Sequence, residues 1–326
     1  MNHEDLDLEK LSLLAEVASM YYEQNLTQSE IAERIYSSRS KVSRLLTRAR
    51  DRGVVEVKIH YPGERVYEIE SQIKRIFGIE EVQVLYSCGR RYSEILRALG
   101  ILAANYLDGV VKDNMTLGVT WGRTLYHIAE ALVPKQRKNL LVTQIFGAAG
   151  TESPVIDTVD LVRKIASAYN GRYRDIHSPL YVFNDVVRES LLIDPYISET
   201  LDLARGANLI LTGIGSLHPD VSSSLVTRHL NSNAIEDLRK SGAVGHLCAC
   251  FYNENGEIMD INLNKTIIGI SIAEMCQAGK VVAVAGGETK ARAILGCLRK
   301  KYVNVLITDD TAARRVIELE NRGGVE

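Results

Sequence analysis

The chain has 326 residues, too many for one small binding module, so at least two folded units are expected. Its composition, 46% hydrophobic and 25% charged, is that of an ordinary globular protein and excludes a disordered or fibrous chain. With a formal net charge of −2, affinity for nucleic acid cannot belong to the whole molecule and must come from a local basic surface.

No apolar run approaches membrane-spanning length, and the first residues (MNHEDLDLEK) are acidic and polar, unlike a signal peptide. Five cysteines without metal-ligand spacing fit a reducing compartment. These features predict a cytoplasmic protein with no membrane partner and no metal site. Cys248 and Cys250, one residue apart in an apolar run, are expected on one face of a buried strand.

Residues 6–24 read as an amphipathic helix, with Tyr21 and Tyr22 at its end. The next stretch, LTQSEIAERIYSSRSKVSRLLTRAR (residues 26–50), reads as helix, tight turn, helix. Leu26, Ile31, Ile35, Val42, Leu45 and Leu46 recur at the spacing of two buried faces. Thr27 is a good N-cap, with Glu30 at the reciprocal position of a capping box. The second helix carries Arg39, Lys41, Arg44, Arg48 and Arg50, interleaved with Ser38, Ser40, Ser43 and Thr47, and no acid before Asp51. That pattern suits a helix in a DNA major groove: cations neutralise phosphates or pair with guanine edges, and short hydroxyls allow close approach. A solvated basic face would carry the same charges but would not require a tightly linked helix before it. Tyr36 stands in the turn where glycine is usual, and packing on a following wing is expected of it. That wing is the alternating run 54–59, after Gly53.

Tyr61-Pro62-Gly63 marks a break, giving expected domains of 1–60 and 61–326. Residues 64–77 form an amphipathic helix. From about residue 80, apolar runs (82–86, 116–120, 140–146, 209–212, 244–251, 281–285, 303–308) alternate with helical patterns (94–107, 123–132, 158–169, 290–298). This predicts an α/β domain with a largely parallel, Rossmann-like sheet. Ligands of such sheets sit beyond the carboxyl ends of the strands. There the chain places Thr120-Trp121-Gly122-Arg123, Gly147-Ala148-Ala149-Gly150-Thr151, Gly213-Ile214-Gly215-Ser216 and Gly286-Gly287-Glu288-Thr289-Lys290. Backbone N–H groups at strand-to-helix junctions can converge on an anion, and Lys290 is the natural side-chain partner of a phosphate. Glycines at such turns also serve simply to let the chain bend. Asp260, Asn262 and Asn264 alternate along MDINLN and are expected on one face of an extended segment, suited to sugar hydroxyls; a polar turn after Gly256 fits them equally. Among the seven histidines, His127, His177 and His246 have no acid partner evident in sequence, and His229 reads as surface. No catalytic residue is assigned.

Several of these segments resemble the SorC family of bacterial transcription regulators, which includes DeoR-like and LsrR-like sugar-responsive repressors. They are TQSEIAERI…SRSKVSRLLTRARDRGVVEV, LGVTWGRTL, FGAAG, ANLILTGIGSL, GAVGHLCACFYNENGEI and VAVAGGETKARAILGCLRKKYVNVLITDDTAA, in that order. The resemblance implies an N-terminal winged helix-turn-helix followed by a sugar-phosphate-binding domain related to sugar-phosphate isomerases but without their catalysis. It also implies a homo-tetramer, a dimer of dimers, that binds operator DNA and responds to a phosphorylated sugar, with no other cofactor. Carried over by position, Ser38, Arg39, Ser40, Lys41, Ser43, Arg44 and Arg48 lie on the recognition helix, and Thr27 and Gln28 meet backbone phosphates. Gly147, Ala148, Ala149, Gly150 and Thr151 would line the effector phosphate with Gly286, Gly287 and Lys290. Thr120, Trp121, Gly122 and Phe146 would border the same pocket, and Asp260 and Asn262 would contact hydroxyls. The rival reading is a sugar-phosphate isomerase or hydrolase with a regulatory head, which requires a positioned acid–base pair.

Overall fold

Thr27 and Glu30 form the capping box that their spacing predicts: the Glu30 N–H donates to Thr27 Oγ1 at 3.3 Å and the Thr27 N–H to Glu30 Oε2 at 2.7 Å. These bonds stabilise the ionised carboxylate and hold the Glu30 pKa below its usual value. They open α2 (Gln28–Arg34), which follows α1 (His3–Tyr22) and precedes α3 (Arg39–Asp51). Ser38 caps α3, accepting from the Lys41 N–H at 3.3 Å. Val17, Met20, Ile31, Ala32, Val42 and Leu46 make the core of this head.

Tyr36, between α2 and α3, adopts φ +50°, and its ring is 98% exposed. No described residue covers the side chain, and most of the wing on which it is expected to pack lies outside the described residues. Tyr36→Gly should relieve the left-handed strain and stabilise the head by about 0.5–1 kcal/mol after glycine's own entropy cost. Slower hydrogen exchange of α2 and α3 in the full chain would report it; faster exchange would show that the turn holds Tyr36 without strain.

The computed structural model describes residues 3–55, 65–150, 158–218 and 229–323, and the chain divides into two units, 1–60 and 61–326. Most of the predicted wing, 56–59, lies outside the described residues. Val54 and Val55, just before it, pack against Leu14, Ala18 and Ala49.

The second unit begins with α4 (Tyr67–Phe77) and is built on a seven-stranded parallel sheet. Its strands are β1 (Glu81–Leu85), β2 (Thr116–Val119), β3 (Leu141–Gln144), β4 (Arg172–Arg174), β5 (Leu209–Gly213), β9 (Lys280–Val284) and β10 (Val305–Asp309). Their spatial order is β1-β10-β9-β5-β2-β3-β4. Every residue of β10 is buried, as expected for a strand covered on both faces. From β2 the sheet grows one way through β3 and β4 and the other way through β5, β9 and β10. The β2/β5 boundary is thus the point where a crevice opens at the carboxyl ends. The helices are α5 (Tyr92–Val110), α6 (Arg123–Ala131), α7 (Thr158–Ala168), α8 (Asp185–Leu192), α9 (Pro195–Arg205), α10 (Ser232–Lys240), α11 (Asn262–Lys265), α12 (Ile272–Gln277), α13 (Ala291–Arg299) and α14 (Asp310–Gly323).

The run 244–251, expected as one strand, is two. β6 (Gly215–Ser216), β7 (Ala243–Leu247) and β8 (Cys250–Asn253) form a small antiparallel sheet. The chain reverses at Cys248 and Ala249, both at positive φ (50° and 62°). Cys248 therefore sits in a turn and does not share a strand face with Cys250. The signal was hidden because this tight turn uses neither glycine nor asparagine.

Candidate functional site

On the head, α3 turns Val42, Leu46 and Ala49 inward. It leaves Ser38, Arg39, Ser40, Lys41, Ser43, Arg44 and Arg48 exposed, as Thr27 also is, while Gln28 is half-buried. Arg44 Nε donates to the Ser40 carbonyl at 3.3 Å, which orients the guanidinium along the helix. The exposed surface of α3 before Asp51 is therefore positive and carries no carboxylate, the arrangement needed against a phosphate backbone.

In the second unit, one cavity opens at the carboxyl ends of β2 and β5. Its lining includes Thr120, Trp121, Gly122, Phe146 and Lys290, all expected from sequence, together with Arg123, Thr212, Ser216, His246 and Cys248. Gly122 occupies the N-cap of α6 at φ +133°, a conformation open to glycine and strained for other residues, and no side chain caps the helix. The first-turn N–H groups thus lack a side-chain acceptor and add positive potential at the cavity. Lys290 Nζ donates to the Ile214 carbonyl at 2.9 Å. Burial and the nearby Arg123 push the Lys290 pKa down to about 8, with Asp309 pulling the other way. Among the described residues, no carboxylate lines the cavity.

The other polar groups of the lining are uncharged. The Gly213 N–H donates to Thr120 Oγ1 at 3.4 Å, and Ser216 Oγ donates to the Thr289 carbonyl at 3.0 Å. Trp121 packs edge-on to Phe146 (4.4 Å between ring centroids) and stacks on His246 at 6.5 Å. Burial, and then the charge of Lys290, push the His246 pKa down to about 4, so the ring is neutral at pH 7. The unfolded chain binds that proton near the usual 6.5, so this contribution to stability is complete above pH 6.5. It is lost as pH falls through about 4, amounting to roughly 3 kcal/mol over the window. His246→Gln should flatten the urea-unfolding profile between pH 6.5 and 4; an unchanged profile would assign acid sensitivity to other groups.

Two expected phosphate loops are already occupied. The Gly147 N–H donates to the Ile268 carbonyl at 2.9 Å and the Ala148 N–H to the Ser178 carbonyl at 2.8 Å. A side chain at Gly147 would lie 2.5 Å from the Pro179 carbonyl oxygen, so this glycine permits loop-to-loop packing. Ala149 is buried, and its carbonyl faces His229 Nε2 at 2.9 Å. Gly150 is partly buried and Thr151 lies outside the described residues. The Gly287 N–H donates to Asp309 Oδ2 at 2.5 Å, and a side chain at Gly286 would meet that same carboxylate. The N–H donors of Gly147, Ala148 and Gly287 thus have internal partners, and neither these residues nor Gly286 are among the described lining of the cavity.

The extended segment expected over Asp260 and Asn262 is corrected. Residues 262–265 form the single turn α11 rather than an extended segment. Asp260 is exposed and ion-paired with Lys265 at 2.6 Å, which holds its pKa below the usual value. Asn264 is structural, donating to the Phe251 and Met259 carbonyls. Among the histidines, His177 does have an acid neighbour, with Asp175 Oδ1 3.6 Å from its Nε2. His229 is half-buried, edge-on to Tyr181, rather than a simple surface residue.

A family model described as a sugar-binding domain matches residues 61–318, and one for sigma-70 region 4 matches residues 15–52. The chain is 31% identical over 313 residues to the deoxyribonucleoside regulator of Bacillus subtilis (strain 168), covering 96% of this chain and 99% of that one. It is 28% identical over 311 residues to the sorbitol operon regulator of Klebsiella pneumoniae, covering 94% and 98%. The crystal structure of the full-length sorbitol operon regulator SorC from Klebsiella pneumoniae aligns with a TM-score of 0.73 at 28% identity, over 93% of this chain and 97% of that one. These relatives are transcription regulators and not enzymes, and no helix among the described residues is long and apolar enough to cross a membrane. With a basic helix-turn-helix, a parallel α/β body and matches along nearly its whole length, the chain belongs to the SorC family of sugar-binding, DNA-binding transcription regulators.

Proposed function

We propose that this regulator binds operator DNA of a carbohydrate-metabolism operon through α3 and responds to a phosphorylated sugar held in the cavity between β2 and β5. The observation that carries this reading is the polarity of the cavity. Arg123, Lys290 and the uncapped N-terminus of α6 lie at the cavity, and Thr120, Thr212, Ser216 and neutral His246 add uncharged polar groups to the same lining. An anionic group with an uncharged polyol attached matches both parts, and Trp121 offers an apolar face to a sugar ring. The relatives named for deoxyribonucleosides and sorbitol support a polyhydroxylated effector. In this reading residues 1–60 are the DNA-binding domain, and residues 61–326 bind effector and assemble the chain into a homo-tetramer, a dimer of dimers. The effector acts by binding two arrangements of that assembly with different affinity.

Thermal unfolding against matched pairs of free and phosphorylated sugars tests it. A ligand specific for the native state raises the midpoint by mass action. A rise with one phosphorylated sugar and not with its free counterpart is expected. Equal rises with both members of a pair would remove the phosphate from the effector.

A further inference from the structure

A second hollow lies on the head, where the end of α1 and the first residues of α2 meet Arg39 at the start of α3. It forms because of the way the chain leaves α1. The Glu23 and Gln24 N–H groups donate to the Ser19 carbonyl at 2.9 and 3.1 Å, and the Leu26 N–H to the Met20 carbonyl at 3.0 Å. Asn25 takes φ +53° within this turn, a conformation that asparagine tolerates better than most residues. Leu26 and Tyr21 then pack on the core of the head, whereas Tyr22 lies outside that core and stays 39% exposed. The Tyr22 ring is nonetheless held, edge to face against Tyr21 with centroids 4.9 Å apart. A tyrosine fixed at the surface offers a rigid hydroxyl at low entropic cost, the property that places tyrosine in binding surfaces.

The chemistry of the hollow identifies its occupant. Arg39 supplies a positive charge, and Tyr21, Tyr22, Asn25 and Gln28 supply neutral hydroxyl and amide donors. Among the described residues no carboxylate lines it. The acids nearest in sequence are engaged locally, Glu23 accepting from the Ser19 hydroxyl at 2.6 Å and Glu30 from the Thr27 N–H at 2.7 Å. One cation among neutral donors matches a single phosphodiester, which carries one negative charge and accepts hydrogen bonds at its free oxygens. A metal cation finds no carboxylate here to hold it, and an apolar ligand leaves the donors unmet. With a volume of about 580 Å³ the hollow is wider than a lone anion and admits a length of sugar–phosphate backbone. Arg39 also joins it to the exposed positive face of α3, so a duplex that engages α3 brings its own phosphates alongside.

We infer that this hollow seats a phosphodiester of the DNA backbone, flanking the bases that α3 faces, with Tyr22 as hydroxyl donor and Arg39 as counter-charge. The end of α1 is then part of the DNA-binding surface, and the seated phosphate sets the register of α3 on the duplex. This contact rests on the DNA-binding reading above, and one experiment separates the two.

Affinity of the full chain is measured at several salt concentrations for two duplexes of equal length, one enriched from a random-sequence pool by the parent chain and one of scrambled sequence. Tyr22→Phe keeps the ring and its packing on Tyr21, and circular dichroism checks the fold. It is expected to weaken binding about tenfold on both duplexes with the salt slope unchanged, because a hydroxyl is lost and no charge. Arg39→Ala is expected to lower the slope by about 0.9, one phosphate fewer being neutralised. Equal binding by the parent and Tyr22→Phe overturns the seat and leaves α3 as the DNA-binding helix. A loss confined to the enriched duplex overturns the phosphate, since the hydroxyl then reads a base. A parent chain that binds neither duplex overturns both readings.

Discussion

Replacing Lys290 with Met should weaken binding of a phosphorylated effector by about 10- to 150-fold, the loss of one charge-assisted hydrogen bond. Operator binding without effector should be unchanged, since Lys290 lies in the second unit. The parent also carries a pH signature. Lys290 has a pKa of about 8 in the effector-free protein, and a bound phosphate raises it again. Effector affinity is therefore level in this respect below pH 8 and falls as pH rises above it, by up to about tenfold per unit until the bound-state pKa is reached. Stability of the effector-free chain moves the other way. Between about 8 and the ordinary 10.5 the unfolded chain holds a proton that the native chain has released, so the contribution of Lys290 rises with pH. Calorimetric titration and urea unfolding between pH 7 and 10 should thus show opposite trends in the parent. Both should disappear in Lys290→Met, and trends surviving there would place the anion elsewhere.

Replacing Arg44 and Arg48 together with Ala should reduce the slope of log affinity against log salt by about 1.8, roughly 0.9 for each phosphate neutralised. Both side chains are exposed and one helical turn apart, so they can meet the same stretch of DNA backbone. The head should keep its fold, because its core rests on Val42, Leu46 and Ala49 on the opposite face. If either arginine pairs with a guanine edge, affinity should fall by about 1–3 kcal/mol more and discrimination at that base pair should relax. Binding to operator and unrelated duplexes at several salt concentrations separates the two contributions. An unchanged slope would remove both residues from the phosphate contacts.

Local chemistry was legible in the sequence where partners lie within a few residues of each other. Thr27 and Glu30, three apart, declared the start of α2, and the spacing of Val42 and Leu46 set which face of α3 turns inward, with Ala49 joining that face only in the structure. The rule that ligands lie beyond strand ends led to Trp121 and Lys290, and the family resemblance added Phe146; all three line the cavity. What stayed hidden depended on distant partners. The donors of Gly147 and Ala148 are taken by Ile268 and Ser178, and that of Gly287 by Asp309, so loops that looked open in sequence are filled. His246 reaches the cavity only because β7 pairs with β6, whose two residues are too few to show a pattern. Arg123 adjoined an expected junction, yet only the fold shows it beside Lys290.

The carboxylate of Asp309 has a consequence for how a ligand is oriented. By accepting from Gly287, and from the Thr311 and Ala312 N–H groups at the start of α14, it neutralises from within the loop that most resembles a phosphate cradle. In the reading proposed above, Arg123 and Lys290 would then be the partners of the effector's anion, and an asymmetric molecule would enter the cavity in one direction. Positional isomers of one sugar phosphate, equal in charge and composition, would differ in which hydroxyl they present to His246.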